Sequence, residues 1–213
     1  MVLPRLYAIL DTDESAARGI EPAALLDIWL DAGVRLIQLR GKSLTFGPLL
    51  GLAERSVRAC ERYQATLIIN DRADVARLSG AGGVHVGQSD LRPADARAIV
   101  GESALVGLST HSDAQVAAAL DEAVDYVAIG PVFHTQTKVR PDPAVGLGGV
   151  GRAADRIARR MPLVAIGGIT LDSARDVVAA GADTLAVIGG LLDGLDESGL
   201  AGRASAFLSR LAG

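Results

Sequence analysis

The chain has 213 residues, 49% hydrophobic but only 3% aromatic, with 25 glycines, so a full core has to be packed from Ala, Val, Leu and Ile between many tight turns. A net charge of −4 excludes a dedicated nucleic-acid or anionic-membrane binder, and an anionic ligand would need a local cluster of donors. Cys60 is the only cysteine, which excludes an intrachain disulfide and a cysteine-rich zinc site; the absence of a long apolar segment or an N-terminal leader pattern predicts a cytoplasmic protein with no membrane span.

Residues 6–10 form the first short apolar run and are followed by Asp11 and Asp13; helical spacing resumes over 21–32, opened by Glu21-Pro22. The second run, 36–39, leads into Arg40 and Lys42 and then a helix over 47–63, in which Cys60 reads as an inert, partly buried thiol. Run 66–69 ends at Asn70 and Asp71, before the shortest predicted helix, 74–78; run 83–86 ends at Gln88 and Asp90, before helix 93–99. Run 105–108 is followed by Ser109 and His111 and a helix over 113–122. Run 126–129 exits through Gly130-Pro131 into Thr135, Thr137 and Lys138, with a helix over 153–160. The last two runs, 163–166 and 184–188, each end in a glycine pair, Gly167-Gly168 and Gly189-Gly190, and precede helices over 172–180 and 200–211.

The runs are continuous rather than alternating, as parallel strands covered on both faces should be. Several helices hand over to the next strand through a glycine, Gly33, Gly80 and Gly181 among them, which suits a left-handed C-cap. Eight such units in one chain predict a single-domain (β/α)8 TIM barrel over 1–213; a doubly wound open sheet is the alternative and would leave no room for a separate ligand domain.

In that barrel the active site lies at the carboxyl ends of the strands, where the polar residues above collect. Gln38 and Arg40 share strand parity and face the interior, so the guanidinium requires an internal carboxylate such as Asp11 or a bound phosphate. Asp71 and Asp90, at neighbouring strand ends, suit Mg2+ carried by a diphosphate, although each also suits a helix cap. Thr135 to Lys138 offer two hydroxyls and an ammonium for an anion, and the two glycine pairs offer backbone N–H groups. Of 21 basic residues only Lys42 and Lys138 are lysine, and both fall at this end. His85 reads as a hydrogen-bonded core residue, while His111 could serve proton transfer. No zinc-binding histidine spacing occurs. Two anion sites in one mouth, one for a diphosphate and one for a monophosphate, predict a transfer between two phosphorylated substrates.

These residues resemble the thiamine-phosphate synthase family over nearly the whole chain. The matching stretches include Gln38-Leu39-Arg40-Gly41-Lys42, Asn70-Asp71-Arg72, Gly83 to Asp90, Gly107 to His111, Gly130 to Lys138 and Ala165 to Ile169. The resemblance implies joining of a hydroxymethylpyrimidine diphosphate to a thiazole phosphate, with diphosphate leaving in a dissociative displacement. It implies that Gln38, Leu39, Arg40, Gly41, Lys42, Asn70, Ser109 and Lys138 hold the pyrimidine diphosphate, with Arg40, Lys42, Ser109 and Lys138 as the catalytic set. It assigns Thr135, Gln136, Thr137, Gly168, Ile188 and Gly189 to the thiazole phosphate and Asp71 and Asp90 to Mg2+. Three positions depart from the family pattern: Gly41 replaces an acid, Gly189 a hydroxyl residue and His134 a proline. The partners implied are small phosphorylated molecules, and no oligomeric state is specified. Two other readings are a thiazole tautomerase, whose branch typically lacks the Asp90 and Thr-x-Thr-Lys features, and a non-catalytic phosphate-ligand binder.

Overall fold

Eight parallel strands close into a barrel in strict chain order, each hydrogen-bonded to its sequence neighbours and β8 back to β1, in a computed structural model that describes residues 2–134, 143–192 and 196–212. The strands are β1 (Leu6–Asp11), β2 (Leu36–Arg40), β3 (Thr66–Asn70), β4 (Gly83–Val86), β5 (Leu105–Thr110), β6 (Tyr126–Ile129), β7 (Leu163–Ile166) and β8 (Thr184–Val187). The helices among the described residues are α1 (Thr12–Ala17), α2 (Pro22–Asp31), α3 (Phe46–Arg62), α4 (Ala73–Ser79), α5 (Pro93–Val100), α6 (Asp113–Ala119), α7 (Gly146–Ile157), α8 (Ala174–Ala179), α9 (Gly189–Leu192) and α10 (Glu197–Leu211).

Strand parity divides the core in two. Outward-facing residues such as Leu10, Leu39, Ile69, Val84 and Leu185 pack beneath the helices with Leu25, Trp29, Val150 and Phe207. Inward-facing Tyr7, Ile9, Leu36, Ile68, Tyr126, Val164 and Ala186 fill the barrel. Both faces of each strand are therefore dry, which explains why the sequence shows continuous apolar runs. No helix among the described residues is long and apolar enough to cross a membrane.

The strands fall where the apolar runs predict them, several reaching one or two residues further to include Asp11, Arg40, Asn70 and Thr110. Gly80 closes α4 in the left-handed conformation at φ 74°, as the handover pattern predicts. Three helices differ most from expectation, while α6 ends at Ala119 rather than 122 and α10 begins at Glu197 rather than 200. α1 has no apolar stripe and goes unpredicted; it is set instead by Asp11, whose Oδ1 accepts from the Asp13 and Glu14 amides at 2.9 and 3.1 Å. α7 starts at Gly146, seven residues before the predicted 153, and ends at Ile157 rather than 160. Its first turns are glycine-rich and read as loop, but Val150, Ala153 and Ile157 bury one face against the barrel. α9 is a single buried turn directly after β8, with Leu191 and Leu192 packed inward.

Candidate active site

The carboxyl ends of the strands surround two adjoining cavities. One, of about 120 Å3, sinks into the barrel mouth among Gln38, Arg40, Asn70, His85, Ser109 and His111. The other, of about 480 Å3, lies over the β7 and β8 ends, bounded by Gly168, Ile188, Gly189, Arg18 and His134. They share the wall made by Ile166, Gly167, Ala186 and Ile188, so ligands in the two would lie side by side.

Parallel pairing sets Arg40 directly beside Asp11. Arg40 Nη1 forms an ion pair with Asp11 Oδ2, while the other oxygen of the same carboxylate caps α1. Asp11 is 1% exposed and cannot reorient without breaking that cap. The sequence offered either an internal acid or a phosphate as partner for the guanidinium; the internal acid is present, and Arg40 still lines the cavity with further N–H groups available.

Lys42 pairs with Asp71 Oδ2. Asp71 stands in the left-handed region at φ 62°, and its amide donates to the His85 carbonyl at 2.8 Å. Burial pushes the Asp71 carboxyl above its ordinary value; Lys42 opposes the shift, and Asp90, in hydrogen-bonding reach, adds to it. Asp90 Oδ2 is itself oriented by the Gly87 amide at 2.8 Å. Two carboxylates that close require a proton or a cation between them. The donor set thus fits Mg2+, which takes one or two carboxylates and fills its other positions from water and phosphate. Among the described residues no group of three or more acidic, histidine or cysteine side chains is placed to hold a metal ion.

Across the barrel floor runs a chain of buried polar groups. Gln38 Nε2 donates to the Tyr7 hydroxyl at 2.8 Å, which lies 3.0 Å from the Tyr126 hydroxyl. Tyr126 lies 3.1 Å from His85 Nδ1, and His85 Nε2 lies 2.8 Å from Ser109 Oγ. His85 is thus the hydrogen-bonded interior histidine the sequence predicts. The two tyrosines went unpredicted, because a single tyrosine in an apolar run reads as core; that two of only three tyrosines sit on inward parity was the available signal. Gly107 makes the room. It lies level with His85 on one side and Tyr126 on the other, and the two rings stack beside it with centroids 5.5 Å apart.

Of the other predicted residues, Asn70 and Ser109 line the barrel-mouth cavity, while Leu39 points outward into the helix layer, leaving only its backbone near the mouth. Gly41 is packed against Leu44 and Leu49; a Cβ there would lie 2.9 Å from a Leu49 methyl, so the side chain that Gly41 lacks would displace Leu49. Gly168, at φ 65°, sits so close to the backbone of His134 that a Cβ would approach its carbonyl oxygen to 2.6 Å. His111 Nδ1 is 2.6 Å from the Gly130 carbonyl, which fixes its ring at the rim. Cys60 lies on the buried face of α3 with its thiol pushed up to about 12 by burial, an inert group as predicted. Thr135, Gln136, Thr137 and Lys138 lie outside the described residues.

Comparison with known proteins agrees with this geometry. The family profile described as thiamine monophosphate synthase matches residues 6–191. The thiamine-phosphate synthase of Koribacter versatilis is 47% identical over 195 residues, covering 89% of this chain and 90% of that protein. That of Acidothermus cellulolyticus is 43% identical over 209 residues, 98% and 95% of the two chains. Among solved structures, thiamine phosphate pyrophosphorylase from Pyrococcus furiosus superposes with a TM-score of 0.86 at 26% identity, covering 98% of this chain and 96% of that one.

Proposed function

The chain belongs to the thiamine monophosphate synthase family and is a transferase with that activity, and from this premise we propose how its residues divide the work. The pyrimidine diphosphate occupies the barrel-mouth cavity, its ring between Gln38 and Ser109 and its diphosphate toward Arg40, Lys42, Asn70 and Lys138. The thiazole phosphate occupies the adjoining cavity, where Gly168, Ile188 and Gly189 present backbone, and Thr135, Gln136 and Thr137 are assigned to the same ligand by the family resemblance. The backbone near Leu39 and Gly41 shapes the edge of the first site. The observation that supports this reading is the shared wall between the two cavities, across which two anionic ligands would lie side by side.

Asp71 and Asp90 would hold Mg2+, which supplies charge neutralisation to the departing diphosphate. Lys42, held beside the mouth by Asp71, and Arg40, locked by Asp11, provide fixed positive charge where negative charge builds as the bond breaks. The pyrimidine amine pushes electrons toward the methylene carbon as diphosphate leaves, and the thiazole nitrogen captures that carbon from the other cavity. No covalent intermediate on a protein side chain is required. Ser109 is bonded to His85, whose other ring nitrogen meets the Tyr126 hydroxyl at 3.1 Å. We read residues 1–213 as one catalytic domain working in the cytoplasm.

The test is to incubate the protein with both phosphorylated substrates and Mg2+ and to follow thiamine phosphate and diphosphate. Formation of both in equal amounts is expected. Isomerisation of the thiazole alone, without coupling, would assign the tautomerase reaction instead.

A further inference from the structure

Gln38 and Ser109 stand three strands apart, joined by a chain of side-chain hydrogen bonds that can be followed in direction from the Gln38 end. Among the described residues the Tyr7 hydroxyl has two partners, Gln38 and Tyr126, and the Tyr126 hydroxyl has two, Tyr7 and His85. Burial holds both phenols well above their ordinary range, so each keeps its single proton. Tyr7 accepts from the Gln38 amide, and the Tyr126 hydroxyl is the protein acceptor within reach of its own proton. Tyr126, already accepting, must donate to His85 Nδ1. A neutral imidazole that accepts at Nδ1 carries its proton on Nε2 and donates it to Ser109 Oγ. Ser109 then has its own hydroxyl proton to offer to the cavity, and Gln38, with one of its two N–H groups engaged below, presents its carbonyl oxygen.

We propose that Tyr126, with Tyr7 and His85, is a positioning relay that fixes an acceptor at Gln38 and a donor at Ser109, and so selects an aminopyrimidine over its oxo counterpart. The inference rests on the placement of the pyrimidine between those two residues. An exocyclic amine beside a ring nitrogen offers a donor and an acceptor. Replacing the amine by an oxygen and protonating the ring nitrogen reverses both. To accept the oxo form, the amide of Gln38 would have to turn over, and all four bonds behind it would have to reverse together. Cutting the relay at Tyr126 frees the Gln38 end to turn alone.

Two measurements on the whole chain test this. Long-range proton–nitrogen correlation on histidine-labelled wild-type protein, with His85 assigned by its loss in His85→Asn, reads the tautomer directly; the Nε2–H form is expected. Equilibrium binding of the 4-amino and 4-oxo pyrimidine diphosphates with Mg2+, without the thiazole, is then compared in wild type and Tyr126→Phe. The wild-type preference for the amine should fall about tenfold in the variant, the size of one reoriented hydrogen bond. Tyr7→Phe cuts the same chain if Tyr126→Phe does not fold. An Nδ1–H or doubly protonated ring overturns the relay, as does a preference unchanged by both variants. If wild type binds neither pyrimidine, the placement beneath the proposal fails and the selectivity with it, while the tautomer still judges the direction of the bonds.

Discussion

Gly107→Ala probes the barrel floor with a single methyl group. The new Cβ would lie 2.1 Å from Tyr126 Cζ and 2.5 Å from His85 Nδ1, on a strand fixed between β4 and β6 by ladder bonds on both sides. Both rings are buried, with Tyr126 1% and His85 7% exposed, so neither can swing into solvent. They have to slide along the barrel axis, and that motion breaks the Tyr126–His85 bond and strains the His85–Ser109 bond. Overpacking of this kind costs about 1–3 kcal/mol and each buried bond lost about 1 kcal/mol more, a total near 2–4 kcal/mol. With a urea slope of about 2 kcal/mol/M, the unfolding midpoint should drop by roughly 1–2 M. Turnover at a temperature where the variant is fully folded should fall as well, because Ser109 loses its anchor. A variant with the wild-type midpoint and wild-type turnover would refute the claim that the glycine exists to seat the two rings.

Three further outcomes follow from the charges at the mouth. Asp11→Asn keeps a capping side chain on α1 but removes the partner of Arg40, so melting should show a loss of about 1–3 kcal/mol that added diphosphate largely restores; destabilisation that diphosphate leaves untouched would count against Arg40 as an anion ligand. For Asp71, whose pKa is raised by burial, the folded metal-free protein holds the proton more tightly than the unfolded chain. Its stabilising contribution is therefore present below the ordinary carboxyl range and is lost as pH rises through the raised value. Asp71→Asn should remove that slope from the melting temperature without Mg2+ and abolish stabilisation by Mg2+ with diphosphate; a retained Mg2+ effect would place the cation elsewhere. Lys138→Ala should lower kcat by about 100-fold or more while leaving the melting temperature unchanged, and near-normal kcat would remove Lys138 from the leaving-group site.

The barrel was legible because parallel strands buried on both faces are written as uninterrupted apolar runs, and the polar residues just beyond them mark which end is the mouth. Arg40, Asp71, Asp90 and Ser109 could therefore be assigned to one end of the barrel from sequence order alone. α1 and the first turns of α7 could not be found in the same way: one carries no apolar stripe and is held by the Asp11 cap, the other is glycine-rich and held by packing. The floor of the site was hidden for a different reason. That Tyr7, Tyr126 and His85 meet depends on the register of strands distant in sequence and on the space left by Gly107, neither of which leaves a local pattern. The dual role of Asp11, capping a helix and locking Arg40, is likewise visible only once β1 and β2 are paired.

The central claim is that a diphosphate site and a monophosphate site lie side by side in one mouth. Titration of inorganic diphosphate with Mg2+ into protein saturated with one substrate at a time tests it. Diphosphate should bind when the thiazole phosphate is present and be excluded by the pyrimidine diphosphate, and its binding should require Mg2+. Exclusion by the thiazole phosphate instead, or equal binding without the metal, would contradict the assignment of Arg40, Lys42, Asp71 and Asp90 to the leaving group.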